Sequence, residues 1–314
     1  MKKKVLITGG MGYIGGRVAA NLLEEGHDVV LGGRNAGIPP DWLRQAKVFS
    51  MDWTSMENLH SACDGMDTVI HLAAMNDGEC SRDPVAALEV NGVNTVRLVE
   101  AAKGVGVSRF IYFSTAHIYG SPLAGCIDES TLPHSRHPYA SSHRAAEDVV
   151  LAAAGHLVPI VLRLSNGFGA PMHRGANCWK LLVNDLCSQA VAKRTMTLRS
   201  SGLQKRDFIT MRDVAGVVSH MMDLDKTVLG DGIYNVGSGR SMRVLEMAEA
   251  IRRRCAEMLG YFPEIVRPEP AGNEVNPDLE YRIGKLLATG YSLNGKLEEE
   301  IDSTLRLCQE GPAI

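Results

Sequence analysis

Short apolar, β-branched runs alternate with longer stretches of helical periodicity through the first half of this chain, and that alternation leaves few folds open. Val5–Thr8, Asp28–Leu31, Lys47–Met51, Thr68–His71, Arg109–Ser114 and Pro159–Arg163 read as strands. Between them, Gly12–Glu25, Ser55–Ala62, Pro84–Lys103 and Pro138–Ala154 place apolar residues at helical spacing. In the third of these, Val90, Val93, Val96 and Leu98 fall near one face. Strands that are apolar on both sides and joined by helical crossovers imply a parallel sheet covered on both faces. The predicted fold class is therefore α/β with a doubly wound parallel sheet.

After Arg163 the rhythm breaks. Gly167, Gly169, Pro171 and Gly175 mark a loop-rich stretch, and Cys178–Ala192 reads as a helix. Tyr234–Val236 is strand-like and ends at Gly237-Ser238-Gly239, helices are predicted at Val244–Met258 and Gly295–Leu307, and Pro263–Pro277 reads as a loop. With 314 residues, the chain exceeds the roughly 250–300 at which one core stops growing, so a small α/β lobe from the C-terminal half is expected beside the main sheet.

Composition removes several classes. Lys+Arg number 33 against 36 Asp+Glu, spread along the chain, so no basic footprint marks nucleic acid as a partner. Apolar content of 45% argues against disorder, and no apolar run reaches the roughly 18 residues of a membrane span. The cysteines at 63, 80, 126, 178, 187, 255 and 308 are odd in number and form no CxxC pair, unlike a disulfide framework or zinc site. His134 and His137 have no evident third ligand, so no metal is expected. Only Val5-Leu6-Ile7 follow the Met1-Lys2-Lys3-Lys4 head before Thr8-Gly9-Gly10, too short for a secretory signal. A cytoplasmic location is expected.

The strongest local motif is Gly9-Gly10-Met11-Gly12-Tyr13-Ile14-Gly15, directly after the first strand and opening a helix. Gly9, Gly12 and Gly15 suit a tight turn, close approach of a pyrophosphate, and close packing of helix on strand. The free N–H groups and dipole of the helix start favour the diphosphate. This context makes the sheet a Rossmann dinucleotide-binding domain, with Tyr13 and Ile14 in the turn. Residues 1–165, with returning segments near 206–240, are assigned to it, and 166–205 and 241–314 to the substrate-binding lobe. An NAD-binder places Asp or Glu at the end of the second strand, on the ribose hydroxyls. Here the sequence is Leu31-Gly32-Gly33-Arg34. An arginine there meets a 2′-phosphate with forked donors, so NADP is the expected cofactor and NAD the second choice.

Polar residues cluster at the fifth strand end, Ser114-Thr115-Ala116-His117-Ile118-Tyr119-Gly120, and at Tyr139-Ala140-Ser141-Ser142-His143 after Pro138. Helical spacing puts Tyr139 and His143 on one face. A phenol titrating near 10 needs a cationic neighbour to act as a base at neutral pH, and Thr115 is placed to bind the substrate oxygen beside it.

These motifs, in this order, resemble the extended short-chain dehydrogenase/reductases, the group of nucleotide-sugar epimerases, dehydratases and reductases. The resemblance extends through Met51-Asp52-Trp53, His71-Leu72-Ala73-Ala74, Asn91-Gly92-Val93-Asn94-Thr95 and Leu162-Arg163-Leu164-Ser165-Asn166. It continues through Arg206-Asp207-Phe208-Ile209, Arg212-Asp213-Val214-Ala215 and Tyr234-Asn235-Val236-Gly237-Ser238-Gly239. It implies that Asp52 contacts the adenine, that Trp53, Leu72, Ala73, Ala74 and Ser114 line the cofactor, and that Tyr139 exchanges a proton with the sugar oxygen held by Thr115. It further implies that Asn166 and Arg206 meet the substrate phosphates, with His117 at the sugar.

Two departures matter. The family carries lysine where this chain has His143, and its 4,6-dehydratases carry Asp-Glu where this chain has Ala116-His117. Dehydration is therefore disfavoured. The expected activity is that of an epimerase or 4-keto-reductase working on a sugar hydroxyl or ketone. The alternative is a catalytically weak or inactive NADP-binding sensor or scaffold. Family members pair through two helices, here Pro84–Lys103 and Pro138–Ala154, so a homodimer is expected. Val149, Val150 and Ala153 either form that apolar face or belong to the core.

Overall fold

The computed structural model describes residues 1–34 and 39–311. The strands β1 (Lys4–Thr8), β2 (Asp28–Gly33), β3 (Lys47–Ser50), β4 (Thr68–His71) and β5 (Arg109–Thr115) lie in the central sheet. The short β6 (Gly125–Ile127) leaves it, and β7 (Val158–Leu164) returns beside β5. Then β8 (Asn166–Phe168), β9 (Thr195–Thr197) and β10 (Lys205–Thr210) lie outside before β11 (Ile233–Val236) joins as an edge. The order is β11-β7-β5-β4-β1-β2-β3, with every pair parallel. The chain starts in β1 and winds outward both ways, so the order reverses between β1 and β4. Ligands bind beyond the strand carboxyl ends at such a switch point.

Period-two alternation sorts each strand between two cores. In β5, Ile111 and Phe113 face one side with Val18, Leu22 and Val218, while Phe110 and Tyr112 face the other with Leu98, Ala146 and Val150. The first side is covered by α1 (Tyr13–Glu24), and the second by α2 (Met56–Cys63) and the run from α3 (Asp77–Arg82) through α4 (Pro84–Ala87) to α5 (Asn94–Gly104) and α6 (Pro138–Ala152). A third, separate core is built on α7 (Leu182–Lys193). The helix α8 (Met211–Asp223) packs on α1. The remaining elements are β12 (Ser241–Arg243), paired antiparallel to β10, then α9 (Val244–Leu259), β13 (Glu264–Val266), β14 (Leu279–Tyr281), α10 (Gly284–Ala288) and α11 (Leu297–Gln309). In pairs, β13 joins β9 and β14 joins β6.

The predicted strands and crossover helices are present, with instructive differences. Pro84–Gly104 is not one α-helix: Leu88–Val93 forms a π turn between α4 and α5. That turn rotates the apolar positions, so Leu98 and Val99 are buried while Val93 and Val96 face outward. Helix α7 starts at Leu182 rather than Cys178, and the proline-rich stretch contains β13. Val150 and Ala153 are buried and Val149 packs against the same core, so they are not an outer face. Among the described residues no helix is long and apolar enough to cross a membrane.

Candidate active site

The glycine-rich turn is built for close approach. Gly9 has φ of 68°, and a Cβ there would sit 2.9 Å from Ala73 N and 3.0 Å from the Leu72 carbonyl carbon. A Cβ on Gly15 would lie 2.3 Å from Gly9 O. Any side chain at either position would drive the turn apart. Helix α1 begins on Gly12 with no side-chain cap and no acidic residue in its first turn, so its leading N–H groups are open to an external anion. Ile14 is half-buried in that turn, whereas Tyr13 is buried and its hydroxyl donates to Gly169 O at 2.9 Å. The Tyr13 side chain therefore ties the turn to the segment after β8.

A directed hydrogen-bond chain fixes the neighbouring strand ends. Leu72 N and Ala73 N donate to Thr8 Oγ1, which lies 2.6 Å from His71 Nδ1. The other ring nitrogen lies 2.9 Å from Thr95 Oγ1, whose own proton goes to Asn91 O. The ring must donate there from Nε2, so it is neutral with Nδ1 as acceptor. Burial agrees, holding His71 down at about 3.

At the end of β2 the glycines have a packing reason. A Cβ on Gly32 would press on Met51 at 3.2 Å, and one on Gly33 would lie 2.6 Å from Met11 Cε. Arg34 is exposed beside them. Asp52 is exposed, with its carboxylate held low chiefly by the Thr54 hydroxyl and N–H. Trp53 is half-buried with its ring 5.9 Å from that of His71. Leu72 and Ala73 are half-buried and Ala74 is exposed.

Tyr139, Thr115 and His143 do come together, and Ser114 is buried next to Thr115 in the chain. Thr115 Oγ1 accepts from His117 N at 3.1 Å, which leaves the Thr115 proton for the Tyr139 oxygen it engages. That hydrogen bond favours the phenolate, but burial wins and pushes the Tyr139 phenol up to about 12. The rings of Tyr139 and His143 meet edge to face at 4.6 Å. His143 is buried, and its Nδ1 lies 2.7 Å from the Tyr112 hydroxyl. Burial lowers its pKa to about 4, so it is no cation at neutral pH and does not stand in electrostatically for lysine. His143 Nε2 and Ser114 Oγ are both buried without a hydrogen-bond partner among the described residues. One is on the ring that meets Tyr139 and the other is on the residue before Thr115, and a bound hydroxyl or amide would satisfy such atoms. With the glycine cradle, they fit a nicotinamide dinucleotide.

The remaining predicted residues are placed less decisively. The exposed His117 ring lies edge-on to Tyr139 at 6.5 Å, and Arg206 is exposed on β10. Asn166 is half-buried, but its amide is already donated to Asp207 O at 2.9 Å. Sequence reasoning gave no role of their own to Asn91, Ser142 and Tyr112. Asn91 sits in the π turn, accepts from Met75 N at 2.7 Å and donates to Ser142 Oγ at 3.0 Å, locking the loop after β4 to α6. Such turns recur at functional sites. Period two in β5 puts Tyr112 on the face of Ser114, which was the available signal.

The doubly wound sheet, the bare glycine turn at its switch point and the orphaned His143 Nε2 on the ring against Tyr139 define a dinucleotide-binding α/β protein. A sequence profile of the NAD dependent epimerase/dehydratase family matches residues 5–237, and the chain belongs to that family. It is 30% identical over 294 residues to a UDP-glucose 4-epimerase of Streptomyces lividans, covering 85% of each chain. It is 31% identical over 265 residues to a mouse dTDP-D-glucose 4,6-dehydratase, covering 79% of this chain and 72% of that one. The structure of Thermus thermophilus UDP-glucose 4-epimerase in complex with NAD superposes with a TM-score of 0.80 at 26% identity, over 97% of this chain and 98% of that one. The relatives thus include both epimerases and dehydratases, and an enzyme of nucleotide-sugar chemistry is supported.

Proposed function

We propose that this protein interconverts a hydroxyl and a ketone on the sugar of a nucleotide sugar, as an epimerase or a 4-keto-reductase, with Tyr139 as the acid/base. The observation that carries this reading is the grouping of Thr115, at the end of β5, with Tyr139 and the unpartnered His143 Nε2 of α6. Gly9, Gly12, Ile14 and Gly15 hold the pyrophosphate. Asp52, Trp53, Leu72, Ala73 and Ala74 line the adenosine side, and Ser114 and His143 the nicotinamide side. A bound nicotinamide supplies the hydride donor or acceptor. Arg34 favours NADP over NAD.

The proton is the protein's part of the reaction. Thr115 gives its hydrogen toward Tyr139, so a negative phenolate oxygen is stabilised where the sugar hydroxyl must lose its proton. With its Nδ1 paired to the Tyr112 hydroxyl, neutral His143 presents its unpartnered Nε2 to a ribose hydroxyl. It positions without lending charge, so Tyr139 is a slower base than one beside an ammonium. Arg206, His117 and Asn166 border the substrate side, Asn166 through its remaining amide oxygen. Ala116-His117 replaces the paired carboxylates of elimination, which disfavours 4,6-dehydration here. A homodimer is the proposed working unit.

The test is mass spectrometry of any copurified dinucleotide, followed by a panel of nucleotide sugars assayed for product and for reduced nicotinamide. Product without net change in the cofactor identifies an epimerase, and stoichiometric oxidation of NADPH a reductase. Binding of the dinucleotide with no reaction on any sugar, in wild type and His143→Lys alike, overturns the catalytic reading in favour of a sensor or scaffold.

A further inference from the structure

The strand β8 runs into a segment, 169–173, that lies across the outside of the glycine-rich turn, and four separate contacts tie it there. Tyr13 Oη donates to Gly169 O. Arg17 Nη1 donates to Ala170 O at 2.9 Å while its Nη2 pairs with Glu300 at 2.6 Å. The His173 ring stacks on Trp42 with centroids 4.6 Å apart and planes 16° from parallel. The same ring reaches Met11 O at 3.2 Å. A carbonyl only accepts, so His173 carries its proton on Nε2 and grips the backbone of the turn itself. Opposite, Gly16 has no side chain because Trp42 Cζ3 would lie 3.2 Å and Met172 Cγ 3.4 Å from a Cβ there.

Resting on the reading that a dinucleotide lies on this turn, we propose that Trp42 and His173 are cofactor-retaining residues: their stack latches segment 169–173 over the pyrophosphate-binding turn, and the dinucleotide leaves only when the latch opens. The Met11 carbonyl and the open N–H groups of α1 belong to one turn, so a group bound at the N–H side is held by a backbone that His173 clamps from the other. Trp42 comes from the segment after β2 and His173 from the substrate lobe, so opening the latch separates the lobe from the sheet. A cofactor so retained is suited to a cycle that returns it to its starting redox state, which favours the epimerase of the two reactions above.

The experiment is a displacement of bound NADPH, and in parallel bound NADH, by excess oxidised dinucleotide, followed by stopped-flow nicotinamide fluorescence. It needs no substrate and no turnover. Wild type is expected to release slowly. Trp42→Ala and His173→Ala are each expected to release roughly tenfold faster, from loss of a stacked pair and, in the second, of a hydrogen bond as well. Because both changes break one stack, the double variant should release no faster than about the His173→Ala rate. Trp42→Phe retains an aromatic face and is expected to restore slow release, which separates the latch from a general loosening of the fold. Release within twofold of wild type in Trp42→Ala and His173→Ala, both still binding nucleotide, overturns the latch and leaves the functional reading intact. Wild type that binds neither dinucleotide overturns both.

Discussion

The Tyr112 hydroxyl lies 2.7 Å from Nδ1 of His143, inside the packing of β5 against α6. The contact fixes the ring in an apolar wall where charging it is costly, and its pKa falls to about 4. That has a consequence for stability. In the unfolded chain the imidazole regains its ordinary value near 6.5 and binds a proton first on acidification. Stability from this site is therefore full above about pH 6.5 and lost as the pH falls toward 4, by about 3 kcal/mol at most. His71 acts in the same direction, with its folded value at about 3. Denaturant unfolding at pH 7, 5.5 and 4.5 should show this decline, and His143→Gln should flatten it. An acid slope unaltered by that change would count against a neutral, buried His143.

Activity should follow a different group. The Tyr139 phenol stands at about 12, so turnover limited by its deprotonation should rise with pH above neutrality and show no inflection near 6.5 from His143. Lysine at position 143 would place an ammonium beside the phenol and lower its pKa. His143→Lys is thus expected to raise turnover at pH 8, while Tyr139→Phe should lower it by roughly 10²–10⁴. Initial rates across pH 6–9, on variants first shown to unfold cooperatively, check both signs. The acid-shifted optimum that a protonated His143 would give is not expected from a ring this deeply buried.

Behind the site, Arg163 and Glu147 form a fully buried pair, with Nε to Oε1 at 3.0 Å and Nη2 to Oε2 at 2.8 Å. Arg163 also donates to the Tyr119 hydroxyl at 2.8 Å, which in turn donates to Asn235. The pair joins α6 to β7 under Tyr139 and His143. Glu147→Ala would leave the guanidinium buried without its counter-ion, so a loss of about 3–5 kcal/mol in unfolding free energy is expected by urea titration. A loss under 1 kcal/mol would mean that water reaches Arg163.

What the sequence made legible was everything that repeats or sits on one turn. The parallel sheet followed from apolar strands and helical spacing, and the dinucleotide turn from glycines whose reason is local contact. The grouping of Thr115, Tyr139 and His143 was visible because strand ends and helical periodicity are short-range. The π turn was not, because the partners that engage its Asn91, Met75 N and Ser142 Oγ, lie 16 and 51 positions away in the chain. The stack of Trp42 on His173 was invisible for the same reason, since the two residues lie 131 positions apart in the numbering. Gly32-Gly33 shows the opposite hazard. A pair suggestive of cofactor choice has steric reasons in Met51 and Met11.

The proposed preference for NADP therefore rests on Arg34, not on the glycines before it. Calorimetry with NADP and NAD should show tighter binding of NADP, and Arg34→Ala should remove most of the difference, on the order of 1.5–3 kcal/mol for a charged hydrogen bond. Equal affinities in wild type would remove Arg34 from the phosphate site and make NAD the working cofactor.

Four of the exposed apolar residues follow one another along a single helical run. Val85 is 77% exposed and Leu88 50%, and both precede Val93 and Val96, also exposed, on the run through the π turn into α5. This run packs along α6, whose outward positions include the small residues Ser141, Ala145 and Ala152. A stripe of valines and leucine beside small residues permits two copies to bring their helices close across a two-fold axis, and such a patch is unusual on a monomer. The dimer is thus expected from Val85, Leu88, Val93 and Val96, not from Val150 and Ala153, which are spent on the core. Val85→Glu with Val93→Glu should convert a dimeric mass to a monomeric one by light scattering at micromolar concentration, with little change in cooperative unfolding of the monomer. A wild-type protein that is monomeric under the same conditions would sink the interface, and an unchanged dimer in the double variant would move it elsewhere on the surface.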